Sequence, residues 1–143
     1  MLRGQTVILW PMLAMVGLTA VVWVKLYRDR VSELRARRIH PEKLVTAQAT
    51  AGLLQNVRAS DNLRNLFEIP VLFYTLCLAL AVTGLGSALF VAGAWLYVGL
   101  RTGHSLIHIT YNRVIHRFAV YLASTIVLFV LWALFAWRLV QMG

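Results

Sequence analysis

Four apolar runs, at about residues 7–26, 66–83, 88–106 and 118–137, set what this chain can become. Each approaches the ~20 mostly apolar residues a helix needs to cross a hydrocarbon layer about 30 Å thick. Within lipid, only helices and closed barrels pair every backbone N–H and C=O. None of the runs alternates with period two, so strands are excluded and helices remain. The pattern predicts an all-α integral membrane protein, a bundle of four transmembrane helices at about residues 5–28, 60–83, 87–110 and 117–140. A basic connection at about 29–59 joins the first two. The composition agrees: 60% hydrophobic and 13% charged residues lie outside the range of ordinary soluble domains, and 143 residues suit a single domain.

The first run reads as a retained helix rather than a cleaved leader. Its apolar core is long, no small-x-small site follows, and the basic stretch "KLYRDRVSELRARR" closes it. The net charge of +9 raises the question of nucleic acid, and charge placement answers it. Eight of the 14 Lys and Arg residues fall between Lys25 and Arg58, and Arg101, Arg113 and Arg117 flank the third connection. The second connection, "TGLGS" at residues 83–87, has none. Basic loops mark the cytoplasmic side, so connections one and three are expected there and both termini on the non-cytoplasmic side. In a bacterial cell that membrane is the inner one. Arg3 and Arg138 run against this pattern. The basic surface suits anionic head groups, and no nucleic acid is expected. Cys77 stands alone in an apolar run and reads as a small hydrophobe.

Ionisable residues inside such segments are costly, about 2.5–3.5 kcal/mol each at a helix centre, and therefore mark interior faces. Asp61, Asn65 and Glu68 are spaced by four and three residues, which stacks them on one side of helix two. Arg101, His104, His108 and Tyr111 repeat that spacing near the end of helix three. Both sets fall near the cytoplasmic surface. They predict one polar pocket in which Glu68 pairs with Arg64 or Arg101. Asn112, Arg113, His116 and Arg117 extend the polar character, although arginines at such a depth also snorkel to head groups. Gly93, Gly99 and Gly103 are expected to let helix three approach its neighbours closely. The four-residue spacing of His104 and His108 would suit a haem or metal, but no other helix offers a histidine at that depth, so no metal site is expected.

"NLFE" (Asn65 to Glu68), with Pro70 two residues on, and "RTGH" (Arg101 to His104) carry a further signal. In these motifs, and in helix number and topology, the chain resembles the membrane-associated proteins in eicosanoid and glutathione metabolism, the MAPEG family, which includes the microsomal glutathione transferases. The resemblance implies a homotrimer that binds glutathione, as a substrate, between neighbouring subunits. It implies a glutathione-dependent transferase or peroxidase acting on lipophilic electrophiles, with membrane lipids and a lipophilic small molecule as partners. Asn65, Glu68, Arg101 and His104 match the family's glutathione-binding positions. His108 stands where a tyrosine is common and Asp61 where an arginine is common. Arg113 falls among later basic ligands, and Arg117 and Tyr111 are the candidates for catalysis. Asp61 and His108 equally suit a non-catalytic relative that binds a lipid or a partner membrane protein.

Overall fold

The computed structural model describes residues 6–54 and 58–142, and among them every regular element is helical. In chain order these are α1 (Leu9–Ala36), a 3-10 turn (Pro41–Leu44), α2 (Ala47–Leu53), α3 (Arg58–Phe67), α4 (Pro70–Thr83), α5 (Ala88–Ile109) and α6 (Val114–Val140). Three segments among the described residues are long and apolar enough to cross a membrane: α1, the Arg58–Thr83 pair of helices, and α6. The chain is an integral membrane protein. α5 is 22 residues long, and Arg101, His104 and His108 dilute its C-terminal part. The expected start of the first helix at residue 5, and residues 55–57 of the first connection, lie outside the described residues.

Three expectations about helix bounds are corrected. α1 continues to Ala36 rather than ending near residue 28. The extension is held by an ion pair between Lys25 and Asp29 at 2.9 Å and by another between Arg37 and Glu33 at 2.9 Å, both four residues apart, the spacing that supports a solvated helix. The second apolar segment is not one rod. It breaks at Glu68–Ile69 because Pro70 has no N–H to continue the ladder, and Pro70 instead opens α4 as its first residue. α6 begins one turn earlier than expected, at Val114.

α1 and its N-cap Ile8 bury a narrow seam, Ile8, Pro11, Met15 and Val22, against a core built by the other helices. Seven-residue spacing returns a side chain to the same face after two turns, so this helix lies on the outside of the bundle. Leu66, Phe73, Leu76 and Leu80 meet Phe90, Ala94 and Tyr97 across the middle, with the Phe73 and Tyr97 rings stacked at 4.5 Å. Leu128, Leu131 and Phe135 of α6 close the core. The α4–α5 hairpin turns at Gly84, whose φ of 71° belongs to the left-handed region that glycine enters without a Cβ clash. Arg138, at the far end of α6, donates to the Leu85 carbonyl at 3.4 Å and lies 5.2 Å from the Phe90 ring centre, tying that hairpin down.

Of the three glycines expected to allow close helix approach, Gly93 does so most tightly. A Cβ there would lie 2.6 Å from Leu131 Cδ2 and 3.2 Å from Cδ1. Gly99 faces open space, and Gly103 would meet Val120 only at 3.9 Å. Gly93→Ala is therefore expected to destabilise the α5–α6 contact by about 1–3 kcal/mol, the usual cost of overpacking. Thermal unfolding in detergent should show the loss, and Leu131→Val added to it should recover most of it. Equal stability of Gly93→Ala and the parent would contradict this packing.

Candidate functional site

The polar residues of helix two do not share one fate. Asn62 is fully buried, Asn65 is half-buried, and Asp61, Arg64 and Glu68 are exposed. Ala59, Asn62 and Leu66, at three- and four-residue spacing, form the inward face of α3, which turns Asp61 and Glu68 outward. The expected pairing of Glu68 with Arg64 or Arg101 inside one protomer is thus corrected. Among the described residues the two ion pairs are those on α1, and neither involves Glu68.

On α5 the stripe is inward. Arg101, His104, Ser105 and His108 are all buried. Tyr111 leaves it because α5 ends at Ile109. The chain then reverses through Asn112 at a φ of 49°, with the Asn112 N–H bonded to the Ile107 carbonyl at 2.8 Å. Tyr111 is exposed and sits against His116, its hydroxyl 3.3 Å from His116 Nδ1. Arg113 is exposed at the entrance to α6.

Arg117 organises this end of the bundle. Its Nη1 donates to Asn112 Oδ1 at 2.9 Å and to His108 Nε2 at 3.2 Å. Its main-chain carbonyl accepts from His104 Nδ1 at 3.1 Å. An arginine is always a donor, so His108 Nε2 is an acceptor and its proton lies on Nδ1. By the same logic His104 carries its proton on Nδ1. Arg58 Nη1, from the start of α3, donates to the Thr110 carbonyl at 2.9 Å and satisfies the C-terminal end of α5.

Arg101 is the largest fully buried side chain. Its Nε bonds the Tyr97 hydroxyl at 3.1 Å, and its guanidinium carbon lies 5.5 Å from the Tyr97 ring centre and 4.8 Å from that of Tyr121. No carboxylate answers it among the described residues, and Nη1 and Nη2 have no hydrogen-bond partner. Asn62 Nδ2, His104 Nε2 and His108 Nδ1 are also buried without partners. Given the tautomers above, His104 Nε2 is the lone acceptor in that set. The seam between α3 and α5 has surplus donors, and surplus donors suit an anion.

Asn65, His104 and Arg117 line one cleft of about 180 Å³ with Val114, Phe118 and Tyr121. Tyr121, on its wall, also holds Arg101, whose guanidinium carbon lies 4.8 Å from the ring centre. Of the sequence-predicted site residues, this geometry gathers Asn65, His104 and Arg117 at the cleft, with Arg101 behind it and His108 on Arg117. Glu68, Arg113 and Tyr111 do not line it. The sequence reading missed Tyr97, Tyr121, Asn62 and Ser105. Tyr97 precedes Arg101 by four residues, and Tyr121 follows Arg117 by four, so each was detectable as a helical neighbour.

Ser105 Oγ donates to Asn62 Oδ1 at 3.2 Å across the buried α3–α5 contact. Ser105→Ala would strand the Asn62 amide and should lower stability by about 1–3 kcal/mol. Asn62→Leu combined with Ser105→Ala removes both partners and should be clearly milder than the single change in the same unfolding assay. A double variant that is worse than Ser105→Ala alone would contradict the pairing.

No curated protein and no solved structure matches the chain. With a match to the MAPEG family over residues 8–137 of its 143, joined to its helical membrane fold, the chain belongs to the MAPEG family.

Proposed function

We propose that this protein is a glutathione-dependent transferase or peroxidase that acts on lipophilic electrophiles at the cytoplasmic end of its helix bundle. The observation that carries the reading is Arg101, a buried cation with no carboxylate partner and two free nitrogens, set directly behind a cleft that Arg117 lines. A tripeptide with two carboxylates and a thiol is an anion that suits these donors. Asn65 and His104 offer hydrogen bonds at the cleft, and Arg117 offers a positive charge that favours thiolate over thiol. The thiolate sulfur then bonds to the electrophilic carbon of a substrate dissolved in the bilayer as the leaving group departs with its electron pair. With a hydroperoxide, the thiolate attacks the terminal oxygen, the O–O bond breaks and the alkoxide leaves and takes a proton as the alcohol. The sulfenic acid so formed reacts with a second glutathione thiol to give the disulfide and water.

The cleft supports a shared site. Its volume of about 180 Å³ falls below the roughly 300–1,000 Å³ of ligand pockets, so one protomer supplies one wall. Glu68 is exposed, and an unpaired carboxylate in a membrane segment is costly; a neighbouring copy would supply its partner. A homotrimer with glutathione held between subunits satisfies both needs. Four crossings, with α5 as the third and both termini non-cytoplasmic, fit the basic first and third connections.

Calorimetric titration of glutathione into the detergent-purified protein tests the reading. Saturable binding, and turnover of a chlorodinitrobenzene or an organic hydroperoxide, are expected. Absence of binding together with tight retention of a lipid would instead favour the non-catalytic, lipid-binding reading that Asp61 suggests by standing where the family commonly has an arginine.

A further inference from the structure

α1 outlasts the membrane. Its 28 residues span about 42 Å at ~1.5 Å per residue, against about 30 Å of hydrocarbon. Counting about 20 residues from Leu9 places the hydrocarbon boundary near Arg28. At that level Trp23 and Tyr27 are exposed and stack at 6.1 Å, where aromatic side chains anchor helices to the interface.

The outward face of α1 at this depth has a definite order. Val21, Val24, Arg28 and Arg35 fall at helical spacing on the side away from Met15 and Val22. Val21 and Val24 are exposed below the boundary, and Arg28 and Arg35 are exposed above it. Two shallow grooves run along this face and share Arg28, one reaching down past Val24 and the other up to Arg35. Lys25 is neutralised by Asp29 at 2.9 Å. Arg28 and Arg35 belong to neither ion pair found among the described residues. The face is therefore apolar at acyl-chain depth and carries two uncompensated guanidinium groups, seven residues apart, at phosphate depth.

We infer that this face is a binding site for an anionic phospholipid, with its acyl chain along Val21 and Val24 and its head group between Arg28 and Arg35. Arginine suits a phosphate because its planar fork donates two parallel hydrogen bonds. A zwitterionic lipid brings its own cation beside the phosphate and gains less. The inference is independent of glutathione and of the catalytic reading.

Native mass spectrometry of the protein released from nanodiscs with equal phosphatidylglycerol and phosphatidylcholine is the test. Retained phosphatidylglycerol should exceed phosphatidylcholine. Arg28→Gln with Arg35→Gln should weaken that retention roughly 30-fold, as two interfacial cations imply. Arg38→Gln with Arg64→Gln removes the same charge from the same end of the protein and should leave retention within a factor of about three of the parent. Equal loss in both double variants would reduce the effect to diffuse charge and overturn the site. Unchanged retention in the first variant would overturn it as well. A change in subunit number without a change in retained lipid would assign the face to a second copy of the chain, and the proposal would fall.

Discussion

Replacing Arg117 with glutamine is expected to lower turnover of a chlorodinitrobenzene by about 10²–10³-fold, the range found when one preorganised electrostatic donor is removed. Arg117 is the charged side chain on the cleft wall, and its orientation is fixed by Asn112 and His108. In the proposed reading, removing the charge withdraws the cation that would favour a bound thiolate. The His104 contact should survive, because it runs to the Arg117 main-chain carbonyl. Glutathione affinity should therefore fall much less than turnover. Arg117→Lys keeps the charge but loses the forked geometry and should fall between the two. Parallel unfolding curves separate this from collapse of the α5–α6 turn. If Arg117→Gln folds like the parent and turns over within a factor of about three of it, far inside the range for a lost donor, Arg117 has no part in the chemistry.

Arg101→Met is expected to separate stability from binding. A buried charge without a counter-ion is costly, and an apolar replacement of similar volume is often neutral or stabilising by about 1–4 kcal/mol. The two tyrosine rings offset part of that cost, by about 2 kcal/mol if desolvated. The variant should therefore melt at or above the parent temperature without ligand. Its affinity for glutathione should fall roughly 30-fold, because a unit charge about 8 Å from a ligand anion contributes about 2 kcal/mol at an effective dielectric of ~20. Thermal unfolding with and without glutathione reads both quantities. A variant that is less stable alone yet equally stabilised by glutathione would make Arg101 a structural strut.

The sequence already carried much of this. Apolar run length gave the helical membrane class, and the spacing of Arg101, His104 and His108 gave the buried stripe. The extension of α1 was legible in Lys25–Asp29 and Glu33–Arg37, two pairs at four-residue spacing. The orientation of helix two was harder. Asp61, Asn65 and Glu68 share a face, and Ala59, Asn62 and Leu66 share another. Reading the costly ionisable residues as the interior side overrode the hydrophobic pattern, which points the other way. Contacts with α5, where Ser105 meets Asn62, decide it. The break at Pro70 then offsets Glu68 from the apolar part of its own segment. Tyr121 was detectable as a helical neighbour of Arg117, but its contact with Arg101 depends on the α5–α6 register, which no local spacing specifies.

If this end of the bundle binds glutathione as proposed, the bound thiol is held as its thiolate. Titrating glutathione into the purified protein, while following thiolate absorbance in the ultraviolet and proton release into weak buffer, tests it most directly. A saturable rise in absorbance matched by released protons is expected, lost in Arg117→Gln and shifted to higher glutathione in Arg101→Met. No rise at millimolar glutathione, from protein whose melting temperature glutathione also leaves unchanged, would contradict it.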